Sequence, residues 1–171
     1  WVAYYDATNA ALKAVWGSYY RPTGEFSADP PKTIDSGSPG GPYKGKHTAI
    51  ALGPTGFPHI AYQYSNDFSH IDEAQLYAHY VDPGTGNCGE GDDAGDWQCD
   101  VITNDESVGQ YAAIALDGAD TVHISYYDGT NGELAYITGT AGAWSAPETV
   151  DAGGAGGNDP DDAPVHRPSR N

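Results

Sequence analysis

The chain has 171 residues, with 24 acidic against 7 basic side chains and a formal net charge of −17. That balance argues against nucleic acid and anionic membrane surfaces as partners, because both select clustered Lys and Arg. No apolar run approaches the roughly 18 residues that a membrane-spanning helix needs, and 23 Gly, 12 Pro and 13 Tyr favour a turn-rich all-β chain over helices. Met is absent and no leader pattern opens the chain, so it reads as an excised or processed piece.

Residues 1–5 (WVAYY) and 12–16 alternate as strands do, and Asp6-Ala7-Thr8-Asn9 joins them as a turn. Residues 26–34 supply an outer strand, with Phe26 where Trp97 and Trp144 stand later. This first unit, 1–44, lacks a counterpart of Ile50-Ala51-Leu52 and ends in a Gly/Pro/Ser-rich connection at 35–43. The second unit, 45–104, has a longer turn at 65–73, a third strand at 75–81, a polar loop at 82–96 and an outer strand at 97–102. The third, 105–151, is predicted to be complete: Ala113 to Leu116, a turn at Asp117-Gly118, His123 to Tyr127, a turn at Asp128 to Gly132, a strand at 134–137 and an outer strand at 144–150. Residues 152–171 are rich in Gly and Asp and read as irregular.

These units are copies of one another. GKHTAIALGPTGFPH starts at Gly45 and GQYAAIALDGADTVH at Gly109, and each reaches His fourteen residues on, at His59 and His123. The following segment recurs from Trp1, His59 and His123, at spacings of 58 and 64. A period of that size signals a repeat architecture. Four short antiparallel strands per unit, with small residues facing large ones, predict stacked blades of a β-propeller. Three units fall short of the usual four or more, which favours a fragment of a longer propeller over a subunit completed by copies of itself. The expected partners are further blades, from the same parent chain or another copy.

The segments G-x-Y-x-x-I-A-L-D at 109–117 and HISYYDGTNGEL at 123–134, followed by Tyr136, resemble the repeats of secreted bacterial sialidase-like (BNR-type) β-propellers. The resemblance covers nearly all of 1–150 and implies an extracellular or cell-surface blade protein. It does not carry activity with it, since one fold hosts many functions. Sialidase chemistry would require an arginine cluster on inner strands, and only Arg21, Arg167 and Arg170 occur. The strict S-x-D-x-G-x-x-W box is missing as well. Asp6 to Asn9 and Asp128 to Asn131 sit where such repeats carry their Asp-box-type turns, and read as structural.

Cys88 and Cys99 are the only cysteines and bracket one loop, which predicts a local disulfide. Between them Glu90, Asp92, Asp93 and Asp96 form an acidic loop. Calcium takes clustered oxygens on glycine-containing backbone, but this spacing is not that of an EF-hand, and a solvated loop is the preferred reading. No other cofactor is implied. His59 and His123 are replaced by Trp1 in the first unit, so they read as strand residues satisfied by a neighbouring loop rather than as metal ligands. Tyr19, Tyr20, Tyr43, Phe68 and Tyr80 lie near loop tips, where aromatic rings could stack on sugars. The expectation is a non-catalytic extracellular propeller segment, acting as a scaffold or an adhesion and glycan-binding module. The alternatives are a piece of a sialidase-like glycoside hydrolase and a structural subunit of an extracellular assembly.

Overall fold

The computed structural model describes residues 1–66 and 72–153, and the backbone but not the side chain of Phe26. The described chain is all-β and antiparallel, with one 3₁₀ turn at Gly91–Asp93. Sheet 1 has the order β1 (Val2–Asp6), β2 (Ala11–Val15), β5 (Lys32–Asp35). A separate hairpin, β3 (Gly17–Tyr20) with β4 (Glu25–Ala28), interrupts it. Sheet 2 is a four-strand meander: β6 (Tyr43–Leu52), β7 (Pro58–Ser65), β8 (Glu73–Tyr80), β9 (Trp97–Thr103). Sheet 3 runs β10 (Val108–Leu116), β11 (Val122–Asp128), β12 (Glu133–Thr140), with β13 (Ala143–Trp144) and β14 (Glu148–Asp151) both paired to β12.

Two predicted outer strands break, and proline is the reason in both. The strand expected over 26–34 contains Pro30 and Pro31, so its first part joins the side hairpin and only β5 pairs with β2. The strand expected over 144–150 contains Pro147 and divides into β13 and β14. Proline has no N–H to give the ladder.

The copies fold in the same register. Ile50 pairs with Ile60 in sheet 2 as Ile114 pairs with Ile124 in sheet 3. Successive side chains leave a strand on opposite faces, so each sheet has two faces to cover. One core lies between sheets 1 and 2, with Leu12, Ala14 and Ile34 against Ile60, Tyr62, Leu76 and Trp97. The other lies between sheets 2 and 3, with Ala61 and Tyr77 against Val122, Ile124, Tyr126 and Ile137. At about 1.5–3 kcal/mol for each fully buried large aliphatic or aromatic side chain, these two joints carry the hydrophobic stabilisation of the described chain.

The backbones come closest at the first strand of each sheet: β6 lies over β1 and β2 as β10 lies over β6, β7 and β8. A glycine makes each approach possible. A methyl at Gly45 would lie 2.7 Å from the Cα of Leu12, and one at Gly109 would lie 3.1 Å from the Cα of Gln75. Leu12 and Gln75 are equivalent positions, opposite Tyr5 and Gln63 respectively. Both glycines have positive φ and sit where the ladder shifts register, beside His47 and Tyr111, which also have positive φ. The His47 and Tyr111 rings meet edge to face at 4.7 Å across the second joint.

Gly45→Ala should therefore lose stability twice over. The backbone conformation alone costs about 1–3 kcal/mol, and the collision with Leu12 adds to it. Gly56→Ala, with φ of +81° but open space around it, should lose only the conformational part. Urea melts of the two variants check this, with the larger drop expected for Gly45→Ala.

Candidate functional site

The strand directions sort the connections into two ends of the stack. One end carries Trp1, the β3–β4 hairpin, the turn at 53–57, the loop at 81–96 and the turn at 117–121. The other carries the turns at 7–10, 36–42, 104–107 and 129–132. The two Asp turns predicted as structural lie at this second end and are near-identical. Asp6 Oδ1 accepts from the Thr8 and Asn9 amides at 3.0 and 3.3 Å, and Asp128 Oδ1 accepts from Thr130 and Asn131 at 2.9 and 3.2 Å. The Lys13 ammonium and the Asn9 amide hold the Asp6 carboxyl well below the usual range.

The five aromatic candidates do not form one site. Tyr19 and Tyr20 project from the hairpin, 61% and 62% exposed. The hairpin is closed at its base by Asp29 N–H donating to Trp16 O at 2.8 Å, and at its tip by the Thr23 and Gly24 amides on Tyr20 O. Tyr43 is at the other end and only 8% exposed, with Lys46 Nζ 4.6 Å from its ring centre; it is not open to a ligand. Phe68 lies outside the described residues.

Tyr80 belongs to an aromatic ladder. Phe57 stacks on it at 4.9 Å, its ring edge meets Trp97 at 5.7 Å, and Trp97 meets Trp1 at 6.2 Å. The open rung is Phe57, 46% exposed, which sequence reading passed over. The signal was an aromatic residue at the end of the Gly53-Pro-Thr-Gly turn, one position before Pro58.

The predicted disulfide between Cys88 and Cys99 is formed. It fixes the base of the acidic loop, and the loop leans on sheet 1: Gly89 N–H donates to Ile34 O at 2.7 Å and Glu90 N–H to Thr33 O at 3.2 Å. The four candidate calcium ligands are dispersed. Asp93 pairs with Lys32, Asp96 Oδ1 accepts from the Gly84 amide at 3.1 Å, and Glu90 and Asp92 are exposed. Among the described residues no group of three or more His, Cys, Asp and Glu side chains is placed to hold a metal ion. A pocket of about 180 Å³ beside the disulfide is lined by Asp35, Lys44, Asn87 and Asp100; small-molecule sites more often measure ~300–1,000 Å³.

His59 and His123 repeat one arrangement. His59 Nδ1 lies 2.5 Å from Tyr77 Oη, and His123 Nδ1 lies 2.6 Å from Tyr136 Oη. The expected loop partners are more distant: Asp120 Oδ1 is 4.0 Å from His59 Nε2, and Asp117 Oδ2 is 3.7 Å from His123 Nε2. Asp120 comes from sheet 3, so its approach to His59 spans the second joint. His79 stacks on Tyr77 and faces His59.

Chemically, this end offers exposed aromatic rings on a backdrop of carboxylates. Such a surface can stack on neutral sugar rings through CH and π contacts. It repels an anionic ligand, and Arg21, in the hairpin turn, is the single arginine of the described residues. The chain matches no family model, no curated protein and no solved structure.

Two outcomes are expected. Reducing the disulfide should lower stability by about 2–3 kcal/mol, as its short loop implies, read as a fall in Tm on adding dithiothreitol. The second concerns pH. Burial lowers the His59 and His79 imidazoles below the ordinary 6.5, opposed by the carboxylates of Asp120 and, for His79, Asp100. Above that value the histidines are neutral in both states and contribute no slope. Below it the unfolded chain takes up protons that the folded chain refuses, so stability falls as pH drops. Tm should decline between about pH 7 and about pH 5, and His59→Gln should make that decline shallower.

Proposed function

We propose that the chain is a non-catalytic segment of an extracellular β-propeller, a scaffold whose loop-rich end binds neutral glycans. The arrangement of the sheets supports the propeller. Each packs the same face on its successor, and the closest approaches are made by first strands, as in blades fanned about an axis. The second faces of sheets 1 and 3, with Val2 and Tyr4 on one and Ser125 and Leu134 on the other, have no sheet over them among the described residues. Further blades, from the same parent chain or another copy, would cover them. A disulfide suits an oxidising compartment, and none of the described helices is long and apolar enough to cross a membrane.

The observation that carries the binding role is the β3–β4 hairpin. It is an insertion without a counterpart in sheets 2 and 3, and it holds two adjacent tyrosines in solvent. Side chains of this size are seldom left so open when a core needs them, and loops on a rigid scaffold are where recognition concentrates.

A printed array of neutral and sialylated glycans tests this. Binding to neutral glycans is expected, with Tyr19→Ala combined with Tyr20→Ala reducing affinity at least about tenfold, or 1.4 kcal/mol, at unchanged Tm. Preference for sialylated glycans, or binding indifferent to both tyrosines, would overturn the assignment. Turnover of an aryl sialoside would replace it with the hydrolase reading.

A further inference from the structure

The turn between the first two strands is built alike in sheets 2 and 3. Gly53 N–H donates to Phe57 O at 2.9 Å, and Asp117 N–H donates to Thr121 O at 3.0 Å. Inside these bonds Gly56 N–H reaches Gly53 O, and Asp120 N–H reaches Asp117 O. The closing residue is aromatic in one copy, Phe57, and is Thr121 in the other. The turn itself therefore does not require a ring at that position.

The residue beneath Phe57 differs in the same way. Tyr80 pairs with Trp97 in sheet 2, where Gly139 pairs with Trp144 in sheet 3. In sheet 3 the tryptophan lies across the glycine: a methyl at Gly139 would sit 2.9 Å from Trp144 Cα and 3.0 Å from its ring. In sheet 2 the Tyr80 ring stands in that place. Trp97, fully buried, meets it edge-on, and Phe57 lies on it with only 12° between the ring planes. Phe57 and Tyr80 thus occur together in sheet 2 and are absent together from sheet 3. Pro58, which follows Phe57, fixes the backbone at its back. A ring with one face on a braced neighbour and the other in solvent is a preorganised platform for a second flat ring.

We propose that Phe57, backed by Tyr80, is a second sugar-stacking subsite, and that the ligand of this end is a neutral chain of several linked sugars rather than a single terminal sugar. This rests on the glycan reading and extends it. The aromatic ladder leads from Phe57 through Tyr80 and Trp97 to Trp1. Trp1 precedes Val2, which pairs with Val15, one residue before Trp16 at the base of the tyrosine hairpin. Both platforms therefore flank the first joint at the same end of the stack, with three ring-to-ring contacts between Phe57 and Trp1. A short sugar stacks on one platform. A chain reaches both, and its second contact is intramolecular, which multiplies affinity without any new kind of bond. The exposed carboxylates beside the platforms, Asp82 after Tyr80 and Asp29 at the hairpin base, disfavour an anionic chain.

Calorimetry with cello-, manno-, xylo- and galacto-oligosaccharides, each from disaccharide to hexasaccharide, tests this on the full chain. In the series that binds, affinity should rise at least about tenfold with length. Phe57→Thr, which installs the residue of the sheet 3 turn, should abolish that rise while leaving disaccharide affinity unchanged. Phe57→Tyr should keep it. The proposal is overturned if the rise survives Phe57→Thr, or if Phe57→Tyr loses it as well. Self-association of the chain that Phe57→Thr abolishes, with no effect of that variant on sugar binding, would also overturn it, in favour of a protein contact. Binding that depends on Tyr19 and Tyr20 but not on Phe57 removes this subsite alone, whereas a chain that binds none of the neutral series removes the glycan reading with it.

Discussion

Everything in the described chain depends on backbone meeting backbone where the first strand of one sheet crosses the middle strand of the sheet before it. Gly45 over Leu12 and Gly109 over Gln75 make that contact without a side chain between them. The close approach sets the spacing of the sheets, and the spacing in turn decides which side chains fit in the joints. Small residues such as Ala14 and Ala61 line one side, and large ones such as Tyr62 and Tyr126 fill the other. Positive φ at His47 and Tyr111, uncommon for residues other than glycine, is the local cost of turning the strand into that position.

With the sheets fixed, the two ends of the stack become different surfaces. One is closed by tight Asp turns whose carboxylates are spent on their own backbone amides. The other receives the insertions: the tyrosine hairpin, the disulfide-anchored acidic loop and the Phe57 turn. The lean of the acidic loop on β5 ties this connection of sheet 2 to sheet 1, so the surface is held by both sheets.

Much of this was legible in the residues. The repeats from Gly45 and Gly109 and from Trp1, His59 and His123 place the strands of sheets 2 and 3, because period-two alternation and turn chemistry are local signals. The disulfide followed from two cysteines around one loop. The side hairpin did not, because Pro30 and Pro31 were read as lying within a strand rather than as ending one. Nor did the sequence reveal which tyrosines are open. Tyr43 and Tyr80 occupy loop-tip positions like Tyr19 and Tyr20, yet one is buried and the other is stacked under Phe57. That difference arises from packing between distant segments. The acidic run looked like a ligand set because its carboxylates are close in sequence. In three dimensions they diverge, as Asp93 is drawn to Lys32 and Asp96 to the Gly84 amide.

Each joint carries a buried carboxylate held from the sheet across it, by different partners. In the first, lined by aromatic and aliphatic groups, Asp35 accepts from Tyr62 Oη and from Lys44 Nζ, both at 2.7 Å. The second has a buried polar seam: Glu73 accepts from Gln63 at 2.9 Å and, across the joint, from Gln110 at 3.3 Å, while Gln63 also donates to Val108 O at 3.1 Å. A carboxylate hidden at 1% exposure depends on partners of this kind. Sheets of such similar sequence could otherwise stack in the wrong succession, the characteristic failure of repeat chains. Here sheet 3 in the place of sheet 2 would bring Val108 where Lys44 meets Asp35, and the buried carboxylate left without its ammonium penalises that order.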